Sequence, residues 1–183
     1  GHAYDMSTNI FERLPQIFFD EKPDDGQPYI QILGRRGNQR IYRYILTDYV
    51  NAPVNLYKYK IFIPEASGSG SYGEIISSPV VSAPSVGATE TFMGLGYFDR
   101  EIEVLALLKY IKTKFVRALL SVLKTTQHIT PIKWKYVPLQ DFTSSSDIDW
   151  SKSVAEIDRQ LYAKYGLSDD EINFIESHVK EMA

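Results

Sequence analysis

The chain has 183 residues, 44% of them apolar and 13% aromatic, with 20 basic against 23 acidic side chains and a net charge of −3. That much apolar and aromatic surface supports one substantial core and excludes a solvated, disordered linker. The absence of cysteine excludes disulfide scaffolds, thiolate zinc sites and cysteine nucleophiles.

Residues 20–28 are turn chemistry, and Tyr29–Leu33 alternates as a strand should. A turn over Gly34–Gly37 is expected next. From Asn38 to Val50 the apolar residues Ile41, Tyr44, Ile45 and Tyr49 fall at helical spacing, which predicts a helix with Arg36, Arg40 and Arg43 along one neighbouring face. Tyr57–Ile63 is β-branched and aromatic and predicts a strand ending at Pro64. Residues 65–91 are rich in Gly, Ser and Pro and predict short strands and loops, with a further strand over Thr89–Leu95. One long helix is predicted from an N-cap near Asp99 to about Thr126. Val104, Leu108, Ile111, Phe115, Ala118 and Val122 would form its core face, and Lys109, Thr113, Arg117 and Lys124 its outer one. Phe115, Trp134 and Trp150 are expected in the core. After a linker at 141–150, a helix over Ser151–Tyr165 should end at Gly166. Ser168 and Glu171 form a capping box for a last helix carrying Ile172, Ile175 and Val179.

Charge is unevenly distributed along this order. Residues 1–103 carry nine basic and thirteen acidic side chains, residues 104–140 seven and none, and residues 141–183 four and ten. A second basic stretch, Arg35, Arg36, Arg40, Arg43, Lys58 and Lys60, faces only Asp48 between Gly34 and Ile63. Clustered cations in an acidic chain point to a polyanionic partner, with duplex DNA the leading candidate.

Known catalytic and metal-binding motifs do not account for the chain. Gly68-Ser-Gly-Ser-Tyr-Gly73 matches the dinucleotide fingerprint, but Glu74-Ile-Ile-Ser-Ser-Pro79 cannot open the helix that a pyrophosphate needs. His128 and His178 have no partner at ligand spacing, so no metal site is expected. There is no G-x-S-x-G elbow, no Glu-x-Lys nuclease pattern and no Asn-Pro-Pro-Tyr sequence. The chain is therefore expected to be non-catalytic and to hold no cofactor. Gly1 and His2 read as a purification-tag remnant, and without an initiator methionine the chain is expected to be a fragment of a longer protein. No secretory leader and no apolar run of membrane-spanning length appears, so a cytoplasmic protein with no membrane partner is expected.

Several strings carry a family resemblance: Lys58-Tyr-Lys-Ile-Phe-Ile-Pro-Glu-Ala-Ser-Gly-Ser-Gly70, Thr89-Glu-Thr-Phe92, Lys109-Tyr-Ile-Lys-Thr-Lys-Phe-Val-Arg-Ala-Leu-Leu120, Trp134-Lys-Tyr-Val-Pro-Leu-Gln-Asp-Phe142 and Asp147-Ile-Asp-Trp150. Together they resemble the C-terminal target recognition region of bacterial type II restriction-modification adenine-N6 DNA methyltransferases, some of which fuse methylase and endonuclease in one polypeptide. Glu65 departs from the pattern, standing where a basic residue is expected after Pro64. The resemblance implies an upstream catalytic domain of the same polypeptide, binding S-adenosylmethionine, while this region grips double-stranded DNA as the target adenine leaves the stack.

The expected fold is α+β: a β-rich recognition domain with one long amphipathic helix and a C-terminal helical hairpin. Residues 1–28 would be a lead-in, 29–142 the DNA target recognition domain and 143–183 an acidic helical appendage. Candidate DNA contacts are Arg35, Arg36, Asn38, Gln39, Arg40 and Arg43, then Ser69, Thr89, Thr91, Lys114, Arg117, Lys124, Gln127 and Lys133. The rival expectation is a protein-interaction module whose acidic hairpin docks onto a methylase or nuclease partner. An independent enzyme with an unrecognised active site is the third.

Overall fold

The structure, a computed structural model, describes residues 5–65, 71–74, 76–122 and 131–182. The fold is α+β: two three-stranded sheets, a layer of helices against the second sheet, and a C-terminal helical hairpin.

A short helix α1 (Ile10–Arg13) leads into β1 (Tyr29–Arg36) and β2 (Gln39–Leu46). These strands pair antiparallel, with Arg36 opposite Gln39 and Tyr29 opposite Leu46. Between them stands a two-residue turn in which Gly37 takes φ of 57°. A positive φ at the first central position is what a type II′ hairpin turn requires, and glycine supplies it without steric cost. The helix expected over Asn38–Val50 is therefore a strand followed by a short 3₁₀ turn at Thr47–Tyr49. The expected Gly34 turn is likewise strand, with Gly34 paired to Ile41, and the glycine is needed there because a Cβ would lie 2.3 Å from the Phe11 ring.

The second sheet holds β3 (Tyr59–Pro64), β4 (Val80–Ser82) and β6 (Phe92–Phe98), in the order β4-β3-β6, all antiparallel. Between β4 and β6 in the chain, β5 (Val86–Ala88) crosses to the first sheet and pairs parallel with β1. The strand expected at Thr89–Leu95 begins three residues later and runs on to Phe98.

The single long helix is two. Helix α2 (Glu101–Lys112) stops at Thr113, which has ψ of 149°, and α3 (Lys114–Val122) starts in a new direction. Thr113 caps α3: its Oγ1 accepts the Val116 N–H at 3.3 Å while donating to the Tyr110 carbonyl at 2.6 Å. Asp158, from a helix forty residues downstream, accepts the Lys114 and Phe115 N–H groups at 3.0 and 2.9 Å. The first three amides of α3 are thus satisfied by two side chains. The α2 N-cap is Arg100, not Asp99, and it offers no side-chain bond; Asp99 pairs with Lys58 instead.

Beyond α4 (Pro131–Trp134), the hairpin comprises α5 (Val154–Tyr165) and α6 (Asp169–His178). Both helices open on complete capping boxes, Ser153 with Glu156 and Ser168 with Glu171. Gly166 closes α5 at φ of 63°. The hairpin is not an appendage. Ile148, Ile157, Leu161, Tyr162, Ile175 and Val179 share one buried core with Ile61 and Ile63 of β3 and with Val104, Ile111, Phe115 and Val116 of α2 and α3. A smaller core at the other end joins Phe11, Ile30, Ile32, Ile45 and Leu56. Leu33, Phe62 and Phe92 pack between the two sheets.

Of the expected helix core face, Phe115 is buried as foreseen, whereas Val122 is 72% exposed. Trp134 and Trp150 pack half-buried against the large core.

Candidate nucleic-acid interface

Three cations of the acid-free basic window, Lys109, Lys114 and Arg117, are engaged within the fold instead of standing free on an outer helix face. Lys109 Nζ donates to the carbonyls of Trp150, Ser151 and Lys152 at 2.8, 3.2 and 2.9 Å. Three acceptors match the three donors of an ammonium, so this lysine fixes the turn before α5. Lys114 Nζ bonds Glu176 Oε2 at 2.5 Å and the Glu176 carbonyl at 3.2 Å.

Arg117 is 2% exposed. Its Nε donates to the carbonyls of Lys112 and Thr113 at 3.1 and 3.2 Å, and its charge lies near Asp158. Burial pushes the Asp158 carboxyl up to about 6, against the two α3 amides that favour its charged form. Thr113 is fully buried. Of the expected outer face, Thr113 and Arg117 are therefore inner, Arg117 is withdrawn from any DNA surface, and Lys109 and Lys114 are half-buried and engaged. Lys133 is half-buried and engaged with other groups. Ser69, Lys124 and Gln127 lie outside the described residues.

The second basic stretch divides. Lys60 is 1% exposed, and its Nζ is held by the carbonyls of Leu56, Lys58 and Ala83 at 3.1, 2.9 and 3.4 Å. Burial lowers its pKa to about 8. Arg43 pairs through Nε with Asp20 at 2.8 Å. Arg40 donates from Nη1 to the Ser78 carbonyl at 2.7 Å and lies over the Phe92 ring, 5.5 Å from its centroid. Arg35, Arg36, Asn38 and Gln39 are exposed at the tip of the β1–β2 ribbon.

The hydroxyls of Thr89 and Thr91 are engaged within the protein. Thr89 is 1% exposed, and its hydroxyl donates to Thr91 Oγ1 at 3.1 Å. Thr91 in turn donates to Thr8 Oγ1 at 3.1 Å, and Thr8 donates to Glu90 Oε1 through its backbone N–H at 3.0 Å and its hydroxyl at 3.5 Å. This hydrogen-bonded chain ends on the Glu90 carboxylate. It borders a cleft of about 840 Å³ between the two sheets, with Arg35 at its rim and Phe62 and Phe92 among its lining residues.

The sequence reading placed fourteen candidate contacts along much of the chain. The fold gathers four of them, Arg35, Arg36, Asn38 and Gln39, at one exposed tip, with Arg40 anchoring it from behind. Lys60 and Lys109 were counted only as charge, and no sequence signal marks them as clamps on backbone carbonyls. Among the described residues no helix is long and apolar enough to cross a membrane. No protein-family model matches the chain, and no curated protein and no solved structure is significantly similar to it.

Proposed function

We propose that this chain binds double-stranded DNA as the target recognition domain of a restriction-modification adenine-N6 methyltransferase, with the β1–β2 ribbon as its reading element. The observation that carries the reading is the ribbon tip, where Arg35, Arg36, Asn38 and Gln39 stand exposed at the end of an antiparallel pair. A major groove about 12 Å wide admits a two-stranded ribbon, and these residue types bond guanine, adenine and phosphate. In this reading the duplex is held while an upstream domain extrudes and methylates the target base with S-adenosylmethionine.

The test is duplex binding by fluorescence anisotropy across a salt series. With about three phosphates neutralised, log K should fall with log salt at a slope of roughly −3. Arg35→Glu with Arg36→Glu should abolish retention. A flat salt dependence, or unchanged affinity in the double variant, would refute the ribbon as the DNA-binding element.

A further inference from the structure

Side chains alternate across a β-ribbon, so cross-strand partners share a face. The register pairs Arg36 with Gln39 and Arg35 with Arg40. These pairs point to opposite faces. Ile30, Ile32 and Gly34 share the parity of Arg36, and that face packs on Phe11 and the N-terminal segment. Leu33 shares the parity of Arg35, and its face packs on Phe62 and Phe92 of the second sheet. At the tip the two faces therefore present different chemistry: two guanidinium groups on one, and a guanidinium beside an amide on the other.

Two like charges directly opposite each other destabilise a strand pair. Among the described residues neither Arg35 nor Arg40 forms an ion pair, although Asp5, Glu65 and Glu90 line the cleft at whose rim Arg35 stands. Arg40 donates from Nη1 to the Ser78 carbonyl and lies over Phe92, while the strand register sets it opposite Arg35. An anion placed between them would turn that repulsion into attraction, and a phosphodiester is the anion that a ribbon entering a groove meets at its edge. The other pair has no such need for an anion. Arg36 presents a bidentate fork suited to guanine O6 and N7, and Gln39, like Asn38 beside it, has the donor and acceptor that match adenine N6 and N7.

Resting on the duplex-binding reading, we infer that the ribbon divides its work by face: Arg35 and Arg40 grip a backbone phosphate, while Arg36 with Gln39 and Asn38 reads purine edges. The recognised site then contains guanine or adenine at the step under the turn.

The experiment is selection of bound duplexes from a randomised library by the wild-type chain, Arg35→Ala and Arg36→Ala, with salt-dependent affinities for the enriched duplex. The substituted side chains are exposed, so both variants should keep the wild-type melting profile. Arg36→Ala should lose between five- and a hundredfold of the discrimination at one base pair. Arg35→Ala should enrich the same motif with uniformly weaker binding and a salt slope shallower by about 1. A changed motif in Arg35→Ala, or uniform weakening in Arg36→Ala, overturns the division of faces while leaving duplex binding intact. Wild-type binding without any enriched motif overturns base reading by the ribbon alone. No retained DNA at low salt overturns both this inference and the reading beneath it.

Discussion

Replacing Asp158 with Asn separates two opposed accounts of what this carboxylate does between α5 and α3. Its neighbours are the Lys114 and Phe115 amides, which donate to it, together with Arg117, Tyr162 and Glu176. If ion pairing with Arg117 governed the site, the carboxylate would stabilise the fold most at high pH. Burial acts in the other direction: the side chain is 3% exposed, and its pKa is raised from 3.8 to about 6. A raised pKa means that the folded state binds the proton more tightly. Its contribution is then complete below 3.8 and is lost as pH rises through about 6. At about 1.36 kcal/mol per pH unit, linkage gives a loss of roughly 2 kcal/mol between pH 4.5 and pH 8. Asparagine carries no such titration, and groups not coupled to Asp158 cancel in the difference. The variant should be destabilised at pH 4.5 by about 1–3 kcal/mol, because its amide can accept from only one of the two α3 N–H groups. It should recover roughly 2 kcal/mol of that deficit by pH 8. Urea unfolding of both proteins at several pH values, followed by tryptophan fluorescence, measures the difference. A deficit that grows with pH would refute the dominance of burial and restore Asp158 as the counter-ion of Arg117.

Two further outcomes test the packing of the C-terminal hairpin. Leu161→Ala, at a fully buried position in the core shared with β3 and α2, should cost about 2–5 kcal/mol, and deletion of residues 143–183 should abolish the cooperative melt seen by circular dichroism; a cooperative melt in the truncated chain would show that the hairpin is an appendage after all. Gly73 sits at φ of 70°, where a Cβ would lie 2.3 Å from the His178 carbonyl oxygen and 2.7 Å from Val179 Cα, so Gly73→Ala should cost well over the ~1–2 kcal/mol expected for Gly26→Ala, whose φ is 75° in open space; equal losses in denaturant unfolding would show that the close approach of the C-terminal segment is unimportant.

The sequence by itself determined those features whose physics is local. Ser168 with Glu171 and Gly166 marked the ends of helices because caps satisfy backbone groups within one turn. The strand ending at Pro64 was legible in its β-branched and aromatic run, although it begins at Tyr59, two residues later than expected. The α+β class followed from such elements. β2 was misread because Ile41, Tyr44, Ile45 and Tyr49 mimic helical spacing: β2 carries apolar or aromatic side chains on both faces, which blurs the alternation of a strand. The break at Thr113 was missed because the Thr113 cap satisfies only the Val116 amide, and the other two first-turn amides of α3 are met by Asp158 arriving from α5. The basic window shows most clearly what only tertiary structure decides. Charge count cannot say which way a cation points, and here Lys109 bonds carbonyls of the turn before α5, Lys114 pairs with Glu176 of α6, and Arg117 is buried against the carbonyls of Lys112 and Thr113. The exposed cations of Arg35 and Arg36 emerged only when the register of β1 and β2 placed them at the tip of a ribbon. Charge attracts along any chain, but burial determines which charges meet solvent.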